Sequence, residues 1–148
     1  MQYWLMKSEP EVYSIADLER DRVAIWDGVR NYQARNYLRT MKSGDVAFFY
    51  HSNANPPGIA GLMKIAESNI ADPTQFDPDS KYYDAKSSIN SPRWQTVRVE
   101  FMKKLQLISL DQLRQTFTPD ELMVVRPGNR LSVLPVAAEM VDRILALI

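Results

Sequence analysis

The segment Trp26-Asp27-Gly28-Val29-Arg30-Asn31-Tyr32-Gln33-Ala34-Arg35-Asn36-Tyr37-Leu38-Arg39 places an indole, phenols, amides and guanidinium groups beside a helix start. These are the parts of a pocket for a flat, polar ligand. Aromatic rings stack on a planar ring, Asn and Arg read its edge, and exposed amides at a helix N-terminus suit a phosphate. A nucleobase fits this description best. Lys7-Ser8-Glu9 adds polar groups at the end of an apolar run. There Ser8 can donate or accept a hydrogen bond, and Glu9 can accept from the exocyclic amine of cytosine or adenine. Asp27 offers a competing acceptor, and His51-Ser52-Asn53 closes a second apolar run. Arg126-Pro127-Gly128-Asn129-Arg130-Leu131-Ser132 is a glycine turn carrying two guanidinium groups, suited to phosphate through backbone amides and bidentate forks. With Arg30, Arg35 and Arg39 it gives a candidate rim for a nucleic-acid backbone.

Each residue also has a plainer role. Trp26 is either core or a stacking wall. Asn31 is a helix cap, a role compatible with a phosphate contact because both use the same helix end. A lone histidine at a strand end, as His51 is, serves structure more often than catalysis. Asn53 also reads as a hairpin turn residue, and Arg35, Arg39 and Lys42, at three- and four-residue steps, as one solvated helix face. Trp4 and Trp94 read as core or barrel end, and Tyr82 and Tyr83 as loop pins or ligand stackers. An enzyme acting on a modified base is the rival reading, with Glu9, Asp27 or His51 as acid or base, but no Ser/His/Asp ordering or converging titratable pair supports it. A small-molecule, nucleotide or peptide pocket is the third.

These side chains need a scaffold, and the chain reads as one domain over 1–148. It has 45% hydrophobic and 24% charged residues and is long enough for a continuous core. Basic and acidic residues number 18 each, so any nucleic-acid contact is local rather than bulk electrostatic. No cysteine and one histidine leave no set for a disulfide framework or a thiolate or histidine-built metal site, and no cofactor is expected. Without a signal-like or membrane-spanning run, a cytoplasmic, non-membrane location is expected. Oligomeric state is left open.

Strands are expected at Tyr3 to Lys7, Val23 to Trp26, Val46 to His51, Gly58 to Glu67, Trp94 to Lys104 and Leu131 to Val136. Capping boxes predict helices from Ser14, Ser109 and Thr118. Helical spacing predicts two more, from Asn31 to Lys42 and from Ala137 to Ile148. Asp72 to Pro92 is polar and without period, and so is a flexible insert or part of a site. The sum is an α+β fold, a small mixed barrel of about five to six strands with short helices outside it.

Four blocks, Tyr3-Trp4-Leu5-Met6-Lys7-Ser8-Glu9-Pro10, Trp26 to Asn36, Phe48-Phe49-Tyr50-His51-Ser52-Asn53 and Gly128-Asn129-Arg130-Leu131-Ser132-Val133, resemble the EVE domain family. So do Gly58-Ile59-Ala60-Gly61, Tyr82-Tyr83-Asp84 and Pro92-Arg93-Trp94. The resemblance implies a PUA-like (pseudouridine-synthase-and-archaeosine-transglycosylase) mixed barrel, similar in architecture to the YTH readers of methylated adenine in RNA. It also implies a non-catalytic module whose partner is DNA or RNA carrying a modified base, with 5-methylcytosine and 5-hydroxymethylcytosine in DNA as proposed ligands. By analogy with the YTH pocket, Lys7, Ser8, Glu9, Trp26 and Asp27 supply edge readers and one aromatic wall. Val29, Arg30, Asn31, Tyr32, His51, Ser52, Asn53, Arg130 and Ser132 complete the expected ligand set, with Arg35, Arg39 and Arg126 at phosphates.

Overall fold

Alternation along the first strand, β1 (Tyr3–Ser8), sets the architecture. Trp4 and Met6 enter one apolar layer with Ile15, Leu18, Trp26, Leu38 and Phe49, while Leu5 enters a second with Phe48, Ile59, Leu113 and Ile144. A sheet with two apolar faces must be covered on both. Helices α1 (Ile15–Asp21) and α2 (Tyr32–Thr40) cover the first, and α3 (Leu110–Thr116) and α4 (Ala138–Leu145) the second. The computed structural model describes residues 1–148.

The remaining strands are β2 (Val23–Ile25), β3 (Val46–His51), β4 (Gly58–Ala71), β5 (Gln95–Ser109) and β6 (Val133–Val136). They form one six-stranded sheet in the order β2-β5-β4-β3-β1-β6. Only β1 and β3 run parallel, joined by a crossover that contains α1, β2 and α2. Register shifts in the β3–β4 and β4–β5 ladders mark bulges that bend the sheet. The end strands β2 and β6 share no ladder, so the expected mixed barrel is an open one. At Gly61 an added Cβ would lie 2.4 Å from the Ile15 side chain, so glycine is what allows α1 to pack this closely on the sheet.

Capping boxes at Ser14/Asp17 and Ser109/Gln112 form as expected. The box at Thr118/Glu121 also forms, with Thr118 N–H donating to Glu121 Oε1 at 2.9 Å and Glu121 N–H to Thr118 Oγ1 at 3.3 Å. No α-helix follows it. The chain makes one turn and then a 3-10 turn at Met123–Val125, in which Val124 and Val125 are buried. Strands β4 and β5 run past the expected Glu67 and Lys104, to Ala71 and Ser109.

The irregular stretch from Asp72 is pinned down. Buried Gln75 donates through Nε2 to the carbonyls of Asp72 and Trp94 (2.7 and 2.9 Å), and its Oε1 accepts from Ser87 Oγ and the Trp94 amide (2.6 and 3.1 Å). No helix is long and apolar enough to cross a membrane.

Candidate nucleic-acid interface

Where the sheet does not close, a cleft of about 1280 Å³ opens between β2 and the ends of the chain segments that form β1 and β6. One wall is the end of β1 with the turn after it, through Ser8, Glu9, Val12 and Tyr13. The opposite wall is β2 with the loop from Trp26 to Asn31, and Pro73, Lys81, Tyr82, Arg130 and Ser132 finish the rim.

Trp26 combines the two roles read from sequence. It is 7% exposed and packs against Phe49 edge to face, with ring centroids 5.3 Å apart at 84°. Its amide donates to Val97 O at 2.9 Å, and its carbonyl accepts from Thr96 Oγ1, so backbone on both sides fixes the ring. The other two indole N–H groups are consumed inside the protein, that of Trp4 by Asp45 Oδ2 at 3.1 Å and that of Trp94 by Asp84 Oδ2 at 2.8 Å. The Trp26 indole has no such partner, and no fully buried side-chain polar atom goes unpaired, so its N–H is open to the cleft. An indole held rigid with a free N–H is a ready contact for a ligand.

The loop after Trp26 is held by Asp72, a residue the sequence reading passed over. Its buried carboxylate accepts from Gly28 N (2.8 Å), Arg30 Nη1 (3.1 Å), Thr74 N (2.8 Å) and Thr74 Oγ1 (2.6 Å). Gly28 has φ +85°, and an added Cβ would sit 2.7 Å from the Tyr82 ring, so this position demands glycine twice over. Arg30 lines the cleft, but its guanidinium is spent on the frame. Beyond Asp72 it donates to the Tyr82 carbonyl, the Val29 carbonyl and Thr74 Oγ1, and it sits 5.1 and 5.6 Å from the Trp94 and Tyr82 ring centroids. Arg30 is thus a strut between two loops within the cleft lining.

Asp27 stands out by contrast, an exposed carboxylate at the cleft for which no side-chain partner is found. Partial burial, and then the charge of Asp72, push its pKa above the ordinary aspartate value against the pull of Arg30 and its own amide.

Lys7, Ser8, Glu9, Trp26, Asp27, Val29, Arg30, Asn31, Ser52, Asn53, Arg130 and Ser132 all line the cleft. Several have part of their capacity committed. Ser8 Oγ donates to the Tyr13 carbonyl at 2.6 Å, which leaves it an acceptor, and Asn31 Oδ1 caps α2 through the Ala34 amide at 3.0 Å. Asn53 Nδ2 reaches Glu9 Oε1 at 3.5 Å, and the Lys7 ammonium lies over the Tyr50 ring, with burial lowering its pKa. Arg130 is exposed at the rim, and so is Lys81.

Five expected residues lie elsewhere. His51 Nε2 accepts from the Ile15 amide at 3.1 Å, which makes it a structural histidine; burial and Lys104 lower its pKa, so the ring is neutral at pH 7. Tyr32 stacks on Trp94 outside the cleft, with Arg35 beside it. Arg39 Nε donates to Gln95 Oε1 at 2.6 Å, and Arg126 Nε to the Pro119 carbonyl at 3.0 Å. Of the two guanidinium groups in the glycine turn, only Arg130 faces the cleft. Sequence reasoning missed Val12, Tyr13, Asp21, Val23, Ala24, Ile25, Gly28, Pro73 and Lys81. Tyr82 was only a secondary candidate. The sole local signal for the Asp72 frame is Asp-Pro-Thr, an N-cap pattern realised here as a 3-10 start.

An open, bent mixed sheet with helices on both faces and a cleft at its seam defines an α+β protein of PUA-like type. The chain belongs to the EVE domain family, whose family model matches residues 2–147. Mouse thymocyte nuclear protein 1 is 44% identical, the match covering 98% of this chain and 73% of that protein. A Pseudomonas syringae protein of known structure is 51% identical, with a TM-score of 0.94 and 98% of each chain covered. The structure of human thymocyte nuclear protein 1 in complex with DNA containing 5-methylcytosine is 43% identical, with a TM-score of 0.91, covering 99% of this chain and 97% of that one. The YTH domain of Mmi1, 13% identical with a TM-score of 0.55, shares the fold.

Proposed function

We propose that this chain is a non-catalytic reader that takes a modified nucleobase of nucleic acid into the cleft, with 5-methylcytosine or 5-hydroxymethylcytosine in DNA as the first ligands to test. The observation that carries the reading is Trp26, a fixed ring that offers the one indole N–H without a protein partner, directly beside the free carboxylate of Asp27. Stacking on the indole supplies affinity, while Asp27, Ser8 and Glu9 accept from an exocyclic amine. Extrusion from the duplex is implied by the cleft, since a base inside the stack cannot reach Trp26. Arg130 and Lys81 stand at the rim where the flanking phosphates would run. The human relative crystallised with 5-methylcytosine DNA supports the ligand class. Against a catalytic role, the one histidine has its Nε2 lone pair committed to Ile15.

The test is a titration against matched DNA and RNA oligonucleotides carrying cytosine, 5-methylcytosine, 5-hydroxymethylcytosine, adenine or N6-methyladenine. Parent affinity should be highest for one modified base. Trp26→Ala, shown to be folded by circular dichroism, should lose about 1–3 kcal/mol of binding, the worth of one base–aromatic stack. Trp26→Phe should keep most of the stacking and lose the indole hydrogen bond. Undiminished binding by a folded Trp26→Ala protein would overturn the assignment.

A further inference from the structure

Tyr32 lies outside the cleft, yet its surroundings are those of a binding surface. Its side chain is 53% exposed, and one face of the ring is stacked on Trp94, with centroids 4.9 Å apart and planes 19° from parallel. Trp94 is itself immobilised. Its indole donates to Asp84 at 2.8 Å, and the Gln75 side chain grips both its amide and its carbonyl. The Arg35 guanidinium lies 4.7 Å from the Tyr32 centroid, and its Nη1 is anchored on the Arg93 carbonyl at 3.0 Å. The result is a flat aromatic face with rigid backing and a fixed cation alongside, which has already lost the rotational freedom that ligand binding would otherwise cost.

The platform adjoins the cleft. Tyr32 follows Asn31, which lines the cleft, and Arg30 sits between Trp94 on the platform side and Tyr82 on the cleft side. Drawing one base into the cleft leaves its neighbour in the strand without a stacking partner. A rigid aromatic face beside the cleft is what would replace that partner.

We propose that the open face of Tyr32 is a second stacking site, which receives the nucleobase flanking the one held in the cleft, with Arg35 beside the phosphate that joins them. The proposal rests on the cleft taking a nucleobase. A planar ligand with an adjoining anion is favoured over a peptide side chain by the near-parallel geometry already adopted with Trp94 and by the neighbouring cation.

The experiment uses the whole chain, the preferred oligonucleotide with 2-aminopurine next to the modified base, and the free modified nucleoside. Tyr32→Ala should weaken oligonucleotide binding about tenfold, within the range for loss of one stacked base. It should leave nucleoside binding, followed by NMR shift perturbation, unchanged. The stacking-dependent change in 2-aminopurine fluorescence seen with the parent should persist in Tyr32→Phe and vanish in Tyr32→Ala. Full oligonucleotide affinity with an intact fluorescence change in Tyr32→Ala overturns the platform. So does an equal loss toward nucleoside and oligonucleotide, because that is the mark of a purely structural residue. Binding that Trp26→Ala leaves untouched, or no oligonucleotide binding by the parent, overturns the cleft reading on which the platform depends; Trp26-dependent binding indifferent to Tyr32 overturns the platform alone.

Discussion

At the scale of single residues, the proposed role of Asp27 as an edge acceptor ties recognition to stability. Partial burial and the charge of Asp72 raise its pKa, so the folded state holds this proton more tightly than the unfolded chain does. Ionisation as pH rises through the raised value therefore costs folding free energy, and at neutral pH the protein carries that cost. Asp27→Asn removes it. Calorimetry at neutral pH should show a higher Tm for the variant, with the gain shrinking as pH falls and vanishing below the ordinary aspartate range, where both states are protonated. Binding should move the other way. A carboxylate that accepts from an exocyclic amine loses that capacity on protonation, so parent affinity should fall as pH drops through the raised value. Asp27→Asn should bind more weakly at neutral pH and show no such decline. A variant that matches the parent in affinity and in pH profile would remove Asp27 from the base edge.

Among elements, the cleft depends on joining the loop after β2 to the segment between β4 and β5, and Asp72 makes that joint. Asp72→Ala strips the acceptor from Gly28 and Thr74 and leaves the half-buried Arg30 guanidinium without its carboxylate. The expected cost is about 3 kcal/mol, in line with removing one partner of a buried pair. It should be read as a lower urea midpoint together with faster limited proteolysis between β4 and β5. An unchanged midpoint would mean that the bonds from Arg30 to the Tyr82 carbonyl and to Thr74 Oγ1 hold the joint without Asp72. This joint was invisible in the sequence because its partners lie 42 to 44 residues apart, and a buried aspartate in a polar stretch looks like any loop residue. Patterns confined to one element were legible. The capping boxes at Ser14 and Ser109, the strand from Tyr3 and the Asn31 cap all appear as read. The cleft lining was legible where it is contiguous, from Lys7 to Glu9 and from Trp26 to Asn31. Tyr32, one residue further on, leaves the cleft lining because the first turn of α2 directs that ring to Trp94, which is distant in sequence.

For the whole molecule, charge sets how tightly the proposed nucleic-acid ligand would be held and where discrimination would come from. Acidic and basic residues balance at 18 each, and many cations are engaged internally, including Arg30 by Asp72, Arg98 by Glu67 and Arg143 by Glu121. Apart from Lys7, whose ammonium lies over Tyr50, what remains near the cleft is a small set: Arg130 and Lys81 at the rim and Arg35 at the Tyr32 platform. Each phosphate neutralised on duplex DNA contributes about 0.9 to the slope of log affinity against log salt, so roughly three contacts give a slope near −3. That is shallow, and it leaves base readout rather than backbone attraction to set the preference. Arg130→Ala should flatten the slope by about one unit and weaken modified and unmodified oligonucleotides alike, since phosphate contacts position a strand without reading it. Titrations at several salt concentrations check this. An unmoved slope would take Arg130 off the phosphates. A selective loss of affinity for the modified base would instead place its guanidinium on the base edge, as a further member of the group around Trp26 and Asp27.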